Sequence, residues 1–327
     1  MAQPVLEVKQ LQTYFVSAQG TRVVKAVDGV TFTINEGETL GVVGESGSGK
    51  TVTSMSLLRL LPAAARIVGG QILFQGEDLV TKTEKEMRAI RGSQITMILQ
   101  DPMMSLNPLF TIGEQIAEPL RIHRHMRGKV LLERIKELLR GVRIPSPEVR
   151  LREYPHQMSG GMRQRIVGAI GISCEPRLLI ADEPTTSLDV TIQAQYLNLL
   201  KDIQQESRLA MVFITHNIGI IAKMCDNVAV MYAGKMVERA PVREIFNHPK
   251  HPYTEALLNA IPRLTDRSKR LWSIEGQPPD LANPPSGCPF HPRCPKAEDR
   301  CRREVPPEIQ VGENHYTRCW LWEAQAQ

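Results

Sequence analysis

The chain has 327 residues, 40 basic against 35 acidic side chains, a formal net charge of +5, and 42% apolar and 23% charged residues. The length suits one large domain or two modest ones, and the composition excludes a disordered or collagen-like chain. A charge of +5 is too small to argue for nucleic acid or anionic lipid as a partner. The longest apolar stretch, Leu209 to Ala222, holds Thr215, His216 and Asn217. It falls short of the roughly 20 apolar residues of a membrane span. The opening Met1-Ala2-Gln3-Pro4-Val5-Leu6-Glu7-Val8-Lys9 lacks the basic-then-apolar layout of a signal peptide. A cytosolic protein is expected, its six cysteines serving as free thiols or metal ligands rather than disulfides.

Residues 1–44 alternate as strands do, at Leu6-Glu7-Val8, at Val23-Val24 with Val27, and at Val30 to Ile34, with breaks at Gly20, Gly29 and Gly37. The apolar run Thr39 to Val43 leads into a glycine-rich loop and a helical segment from Thr51 to Leu61, ended by Pro62. Gly69 to Phe74 reads as a strand, and Ile95 to Leu99 as a short buried one. Helical patterns then dominate residues 105–175, at Ile112 to Leu120, Leu131 to Leu139 and Gly161 to Ile172, which predicts an inserted helical subdomain. Buried strands return at Leu178 to Ala181, Ala210 to Ile214 and Val228 to Met231. Strands alternating with helices predict an α/β fold with a mostly parallel sheet. Beyond residue 262, Pro278, Pro279, Pro284 and Pro285 mark a linker into a cysteine-bearing tail, so 1–262 is expected as the main domain and 263–327 as an extension.

Gly44-Glu45-Ser46-Gly47-Ser48-Gly49-Lys50-Thr51 fits G-x-x-x-x-G-K-S/T in full, between an apolar strand and a helix. The glycines let backbone N–H groups wrap around phosphate oxygens at a helix N-terminus. Lys50 adds a point charge at the β- and γ-phosphates, and the Thr51 hydroxyl can ligate Mg²⁺. A flexible Gly/Ser loop with a chance lysine would have no reason to sit between strand and helix. Downstream, Leu178-Leu179-Ile180-Ala181-Asp182-Glu183 is an apolar strand ending in two carboxylates that point to opposite sides. Asp182 suits the outer shell of Mg²⁺, and Glu183 suits polarising an attacking water.

Met158-Ser159-Gly160-Gly161-Met162-Arg163-Gln164-Arg165, lying before the Asp-Glu strand, resembles the signature motif of ABC-type ATPases, with Met158 and Met162 in place of the usual leucine and glutamine. The resemblance implies a P-loop NTPase core of RecA-like type, an antiparallel β subdomain at the N-terminus and a helical insert. It implies that Ser159, Gly160, Gly161 and Met162 reach across a dimer to the γ-phosphate held by the partner. Gln100 matches the glutamine loop that senses Mg²⁺ and water, Ser187-Leu188-Asp189 the dimer-contacting loop, and His216 the switch histidine, with Asn217 where aspartate is common. Val52, after Thr51, counts with the nucleotide contacts. Phe15, or failing that Tyr14, matches the aromatic that stacks on adenine, although an aromatic in a strand is commonly a core residue. In this reading Glu183, His216, Gln100 and Lys50 are catalytic, and Thr51, Gln100 and Asp182 bear on Mg²⁺.

The resemblance narrows further. Gln100 to Pro108, Pro184 to Gln195 and His251-Pro252-Tyr253-Thr254 are similar to the dipeptide/oligopeptide importer subgroup, whose relatives also carry nickel or glutathione. It implies an ATPase at the cytoplasmic face of the cell (inner) membrane. Its implied partners are a second and different ATPase subunit, two transmembrane permease subunits and an extracytoplasmic binding protein, with no nucleic acid. The rival is an ABC-type ATPase not coupled to transport, such as those of translation or DNA repair. Those generally carry two cassettes or a long coiled-coil insertion, neither of which is present.

Cys288, Cys294, Cys301 and Cys319 are spaced C-x5-C-x6-C-x17-C. Four thiolates suit a tetrahedral zinc or an iron–sulfur cluster, yet the tight C-x2–4-C pairs of structural zinc sites are missing. His291 and His315 are possible substitute ligands, and four unconnected thiols is the plain alternative. The resembled importers carry a similar extension that holds a 4Fe-4S cluster, so the resemblance implies one here, with Zn²⁺ as the alternative. Cys174 and Cys225 lie in apolar settings and are expected in the core.

Overall fold

A computed structural model describes residues 4–101, 105–186, 188–261 and 274–325. Pro102, Met103 and Met104 of the importer-like stretch, Ser187 of the dimer-contacting loop, and the expected domain boundary at 262/263 lie outside the described residues. In chain order, β1 (Leu6–Val16), β2 (Val23–Ile34) and β3 (Thr39–Val43) precede α1 (Lys50–Leu57), followed by β4 (Ala65–Phe74), β5 (Glu77–Asp78), α2 (Glu84–Ile90) and β6 (Ile95–Ile98). Next come α3 (Ile112–His123), α4 (Gly128–Gly141), α5 (Pro147–Arg150), α6 (Gly160–Ile172), β7 (Leu178–Asp182), α7 (Val190–Ser207), β8 (Ala210–Thr215) and α8 (Ile218–Met224). The remainder is β9 (Asn227–Tyr232), β10 (Lys235–Pro241), α9 (Val242–Asn247), α10 (Pro252–Asn259), α11 (Asp299–Arg303), β11 (Ile309–Gly312) and β12 (His315–Thr317). The chain divides into two compact units, one of residues 1–34, 39–80 and 213–327, the other of 35–38 and 81–212.

The first unit holds an antiparallel sheet in the order β2-β1-β4-β5. Its strands bury alternate residues, Leu6 and Val8 and then, after a register shift at Gln10, Leu11 and Thr13, as the period-two pattern requires. A second run of strands, β11-β12-β10-β9-β3, carries the phosphate loop at the end of β3. β3 and β9 are parallel, and every residue of β3 is buried, as expected of a strand covered on both faces. From β10 outward the pairing is antiparallel. β9 and β10 are joined by Ala233-Gly234, both with positive φ (47° and 78°), the backbone of a two-residue hairpin turn. α1 stops at Leu57 rather than Leu61, because Leu58 closes it and Arg59 takes a left-handed φ of 52°.

The second unit carries the helical insert. No strand lies between β6 and β7 among the described residues, in keeping with the patterns over 105–175. α3 starts where it does because Thr111 and Glu114 form a reciprocal capping box. α4 buries Leu131, Ile135, Leu138 and Leu139, a stripe at helical spacing. β7 lies between β6 and β8 and is parallel to β6, and all five of its residues are buried. Cys174 is fully buried as expected, whereas Cys225 is only half-buried, so the expected core position holds for the first alone.

Candidate functional site

The phosphate loop leaves β3 and opens α1. Gly49 stands at the helix N-cap with φ 104°, a backbone that an L side chain rarely adopts. A Cβ on Gly49 would lie 2.2 Å from the Ala26 carbonyl oxygen, and one on Gly44 2.2 Å from that of Met231. Lys50 is only 6% exposed, and its Nζ donates to the carbonyl oxygens of Gly44 (2.8 Å) and Glu45 (2.9 Å). The ammonium is thus drawn over its own loop. Ser46, Gly47 and Thr51 are exposed, Val52 and Glu45 half-buried, and Ser48 buried. The hairpin turn braces the loop, with the Gly234 N–H donating to the Ser48 carbonyl at 2.9 Å.

Glu45 is held from outside the loop. Its N–H donates to Tyr253 Oη (2.9 Å), and its carboxylate takes a two-pronged ion pair from Arg293, with Nη1 at 2.7 Å and Nη2 at 3.0 Å. Tyr253 belongs to the His251-Pro252-Tyr253-Thr254 stretch, and Arg293 to the cysteine tail. Sequence reasoning missed both contacts, and no local pattern signals them.

Also in the first unit, Phe15 is half-buried rather than a core residue, which keeps part of its ring at the surface. Tyr14 is engaged elsewhere, since its hydroxyl donates to Asp28 (2.8 Å), which also pairs with Lys235 at 2.6 Å. Burial, with Asp28 as acceptor and neighbouring charge, pushes the Tyr14 hydroxyl up to about 12. Burial would raise the Asp28 carboxyl, but hydrogen bonds from Lys235 and Tyr14 outweigh it and hold it below its ordinary value. His216 directly follows β8 and is exposed. The next residue, Asn217, accepts the Gly219 N–H at 3.0 Å and so caps α8 as an aspartate would.

In the second unit, Asp182 closes β7 and is 3% exposed. Glu183 follows in a left-handed backbone, φ 47°, an arrangement of the kind that collects at functional sites. Its Oε2 accepts from Gln100 Nε2 and from Thr186 Oγ1, each at 3.1 Å. Gln100 is therefore placed on the carboxylate that the sequence marks as the base. Ser159 caps α6 by accepting the Met162 N–H (3.3 Å), so Gly160, Gly161 and Met162 form the first turn of a 13-residue helix. Its free N–H groups and dipole favour an anion. Asp189 is exposed and caps α7, accepting from Thr191 (3.1 Å) and Ile192 (3.0 Å).

Cys288, Cys294, Cys301 and Cys319 all line one small cavity, together with His251, His291 and Phe290. Burial pushes the Cys288 thiol up to about 11 and the Cys319 thiol up to about 12, and it raises Cys294 as well. Among the described residues, no three His, Cys, Asp or Glu side chains are grouped closely enough to hold a metal ion. His315 is drawn elsewhere, with Nε2 against Glu238 at 2.7 Å. Glu238 is buried and also accepts the N–H groups of Lys250 (2.7 Å) and His251 (2.8 Å). Among the described residues no helix is long and apolar enough to cross a membrane.

Residues 27–186 match the ABC transporter family, and residues 237–301 match the C-terminal region of oligopeptide/dipeptide transporters. The dipeptide transport ATP-binding protein DppD of Bacillus subtilis is 49% identical over 324 residues, covering 99% of this chain and 96% of that protein. The oligopeptide transport ATP-binding protein AppD of the same organism is 47% identical over 322 residues, covering 98% of each. Among solved structures, cbiO1 from Clostridium perfringens, part of the ABC transporter complex cbiONQ, aligns with TM-score 0.65 and 26% identity over 75% of this chain and 92% of its own. The dimeric ATP-binding cassette MJ0796 with ADP and Pi shares the fold at TM-score 0.65 and 24% identity, over 73% of this chain and 99% of its own.

Proposed function

The chain belongs to the ATP-binding subunits of ABC transporters, within the dipeptide/oligopeptide import group, and from that premise we propose how its residues divide the work. It is an ATPase that powers peptide import. The observation that carries the assignment of roles is the Glu183 carboxylate, held by Gln100 and Thr186 at the end of a buried strand. Fixed in this way, Glu183 orients and deprotonates the attacking water. Lys50 moves from its loop carbonyls to the β- and γ-phosphates, and His216 stabilises charge on the transferring phosphoryl group. Mg²⁺, when bound, would supply positive charge against the charge that develops on the phosphates. Thr51, Asp182 and Gln100 are the residues of this chain that would hold it.

Ser159, Gly160 and Gly161 serve the γ-phosphate bound by a second ATPase subunit, and Asp189 lies in the contact between the two. A different ATPase chain is the proposed partner, with two permease subunits and an extracytoplasmic binding protein completing the importer at the cytoplasmic face of the membrane. Residues 1–262 form the ATPase domain and 263–327 an extension. In the assembled transporter, Glu183→Gln should keep ATP binding and lose about 10²–10⁴ in turnover. Unchanged steady-state turnover would overturn the assignment.

Cys288, Cys294, Cys301 and Cys319 are read as ligands of a 4Fe-4S cluster, with zinc as the alternative. Supporting this are the donor type and the one cavity that all four line, although their side chains as placed are not grouped closely enough to hold a metal and would have to draw together on loading. Burial raises the Cys288 and Cys319 thiols, which must release their protons on loading, so loading is favoured as pH rises. About four irons and four sulfides per chain on anaerobically purified protein, lost in Cys288→Ser, would support the cluster. Zinc alone, or no metal, would exclude it.

A further inference from the structure

The phosphate loop carries a carboxylate at its second position, Glu45, beside the place where the ATP reading puts a highly charged polyphosphate. Left alone, that charge would repel the ligand. Instead it is covered by Arg293, whose side chain is only 5% exposed against 26% for Glu45. The guanidinium makes both prongs of a carboxylate fork. Its Nε is fixed by the Glu275 carbonyl at 2.9 Å, and its Nη1 also reaches Tyr232 Oη at 3.3 Å. A few residues before Arg293, Phe290 packs against Tyr232 and Tyr253, with ring centroids at 5.2 and 5.3 Å. Tyr253 in turn takes the N–H of the same Glu45.

We propose that Arg293 is a positioning residue for ATP: by neutralising and anchoring Glu45, it holds the phosphate loop in its binding conformation. The cysteine extension thereby sets nucleotide affinity. This rests on the ATP reading of the loop and adds a residue that the loop's own motif does not contain. Two physical effects act together. The ion pair removes a like charge from the phosphate cradle, and the fixed side chain reduces the ordering that a glycine-rich loop must undergo on binding. The side-chain contacts of Arg293 run to Glu45, Tyr232 and the Glu275 and Ile274 carbonyls, so its effect falls on binding and not on the chemical step.

The test is equilibrium dialysis of ATP with Mg²⁺ against the full-length chain, joined to ATPase kinetics in the assembled transporter. Arg293→Gln should raise the Kd for ATP about tenfold and raise KM while leaving kcat unchanged. Arg293→Lys, which keeps the charge but loses the fork, should weaken binding about threefold. The double variant Glu45→Gln/Arg293→Gln should recover most of the lost affinity, because the uncompensated carboxylate is gone. An unchanged Kd in Arg293→Gln, or a double variant as weak as the single one, overturns the proposal. So does a fall in kcat at constant KM. If Arg293→Gln does not fold, Arg293→Lys decides between a partial loss and none. Lys50→Ala separates the two layers of inference: ATP bound as tightly by that variant as by the parent would sink the ATP site itself, whatever Arg293 does.

Discussion

The proposed function puts phosphate at two glycine turns, one in each unit, and the two are glycine for different reasons. In the phosphate loop the chain's own packing leaves no choice, since a Cβ on Gly44 or Gly49 would strike a backbone carbonyl at 2.2 Å. In the signature turn, a Cβ on Gly160 meets nothing within 4 Å, and its φ is ordinary for any residue. An alanine there would fit and would favour the helix. The chain's interior therefore does not explain Gly160, which is the position where the proposed function brings in a ligand from outside. Its neighbour Gly161 returns to the first kind, with a Cβ 2.6 Å from Ile192 Cγ2. Crowding therefore accounts for Gly44, Gly49 and Gly161, and leaves Gly160 without an explanation inside the chain.

The sharpest way to break this contrast is Gly49→Ala. Backbone crowding and a strained φ should together remove at least about 3 kcal/mol of stability, read by urea unfolding. A variant as stable as the parent would mean the loop can move aside. Gly160→Ala should behave in the opposite manner. Its unfolding midpoint should hold or rise, while turnover in the assembled transporter falls about tenfold, through close approach lost to a partner's phosphate. Turnover unchanged beside Gly160→Ala would remove the outside ligand from the comparison. A smaller effect sharpens the account of the first unit. Tyr14 has its hydroxyl raised to about 12, so the unfolded chain loses that proton first. The stability it contributes is complete below pH 10 and is lost as pH rises from 10 toward 12, a fall of about 1 kcal/mol after allowance for partial exposure. Tyr14→Phe should flatten that part of the pH–stability curve, and a curve unchanged by the substitution would show that the hydroxyl is not responsible.

What the sequence disclosed follows from how local each feature is. The phosphate loop, the capped helix after Ser159 and the strand ending in Asp182-Glu183 are contiguous, so residue type and spacing carry them. Helix limits were legible to within a turn, and the early stop of α1 turns on one left-handed residue, Arg59. Asn217 looked like a departure, yet its side chain supplies the same cap as an aspartate. The Glu45–Arg293 ion pair was illegible, because 248 residues separate its members and neither sits in a pattern naming the other. The contact of Gln100 with Glu183 was half legible. Each residue was marked, but the hydrogen bond between them depends on β6 and β7 lying side by side. The tail hairpin was missed because β11 and β12 are short and largely polar, so no alternation stands out.

That hairpin has a consequence for how the protein is made. β12 pairs with β10 at Glu238–Thr317 and Arg239–Tyr316, and β11 then pairs with β12. Until both exist, β10 offers a line of unsatisfied N–H and C=O groups, a ready template for another chain. β9 and β10 leave the ribosome well before the hairpin that covers them. The nascent protein thus passes through a stage with an open sheet edge, in which aggregation competes with closure. A chain cut before Ile309 would never leave that stage.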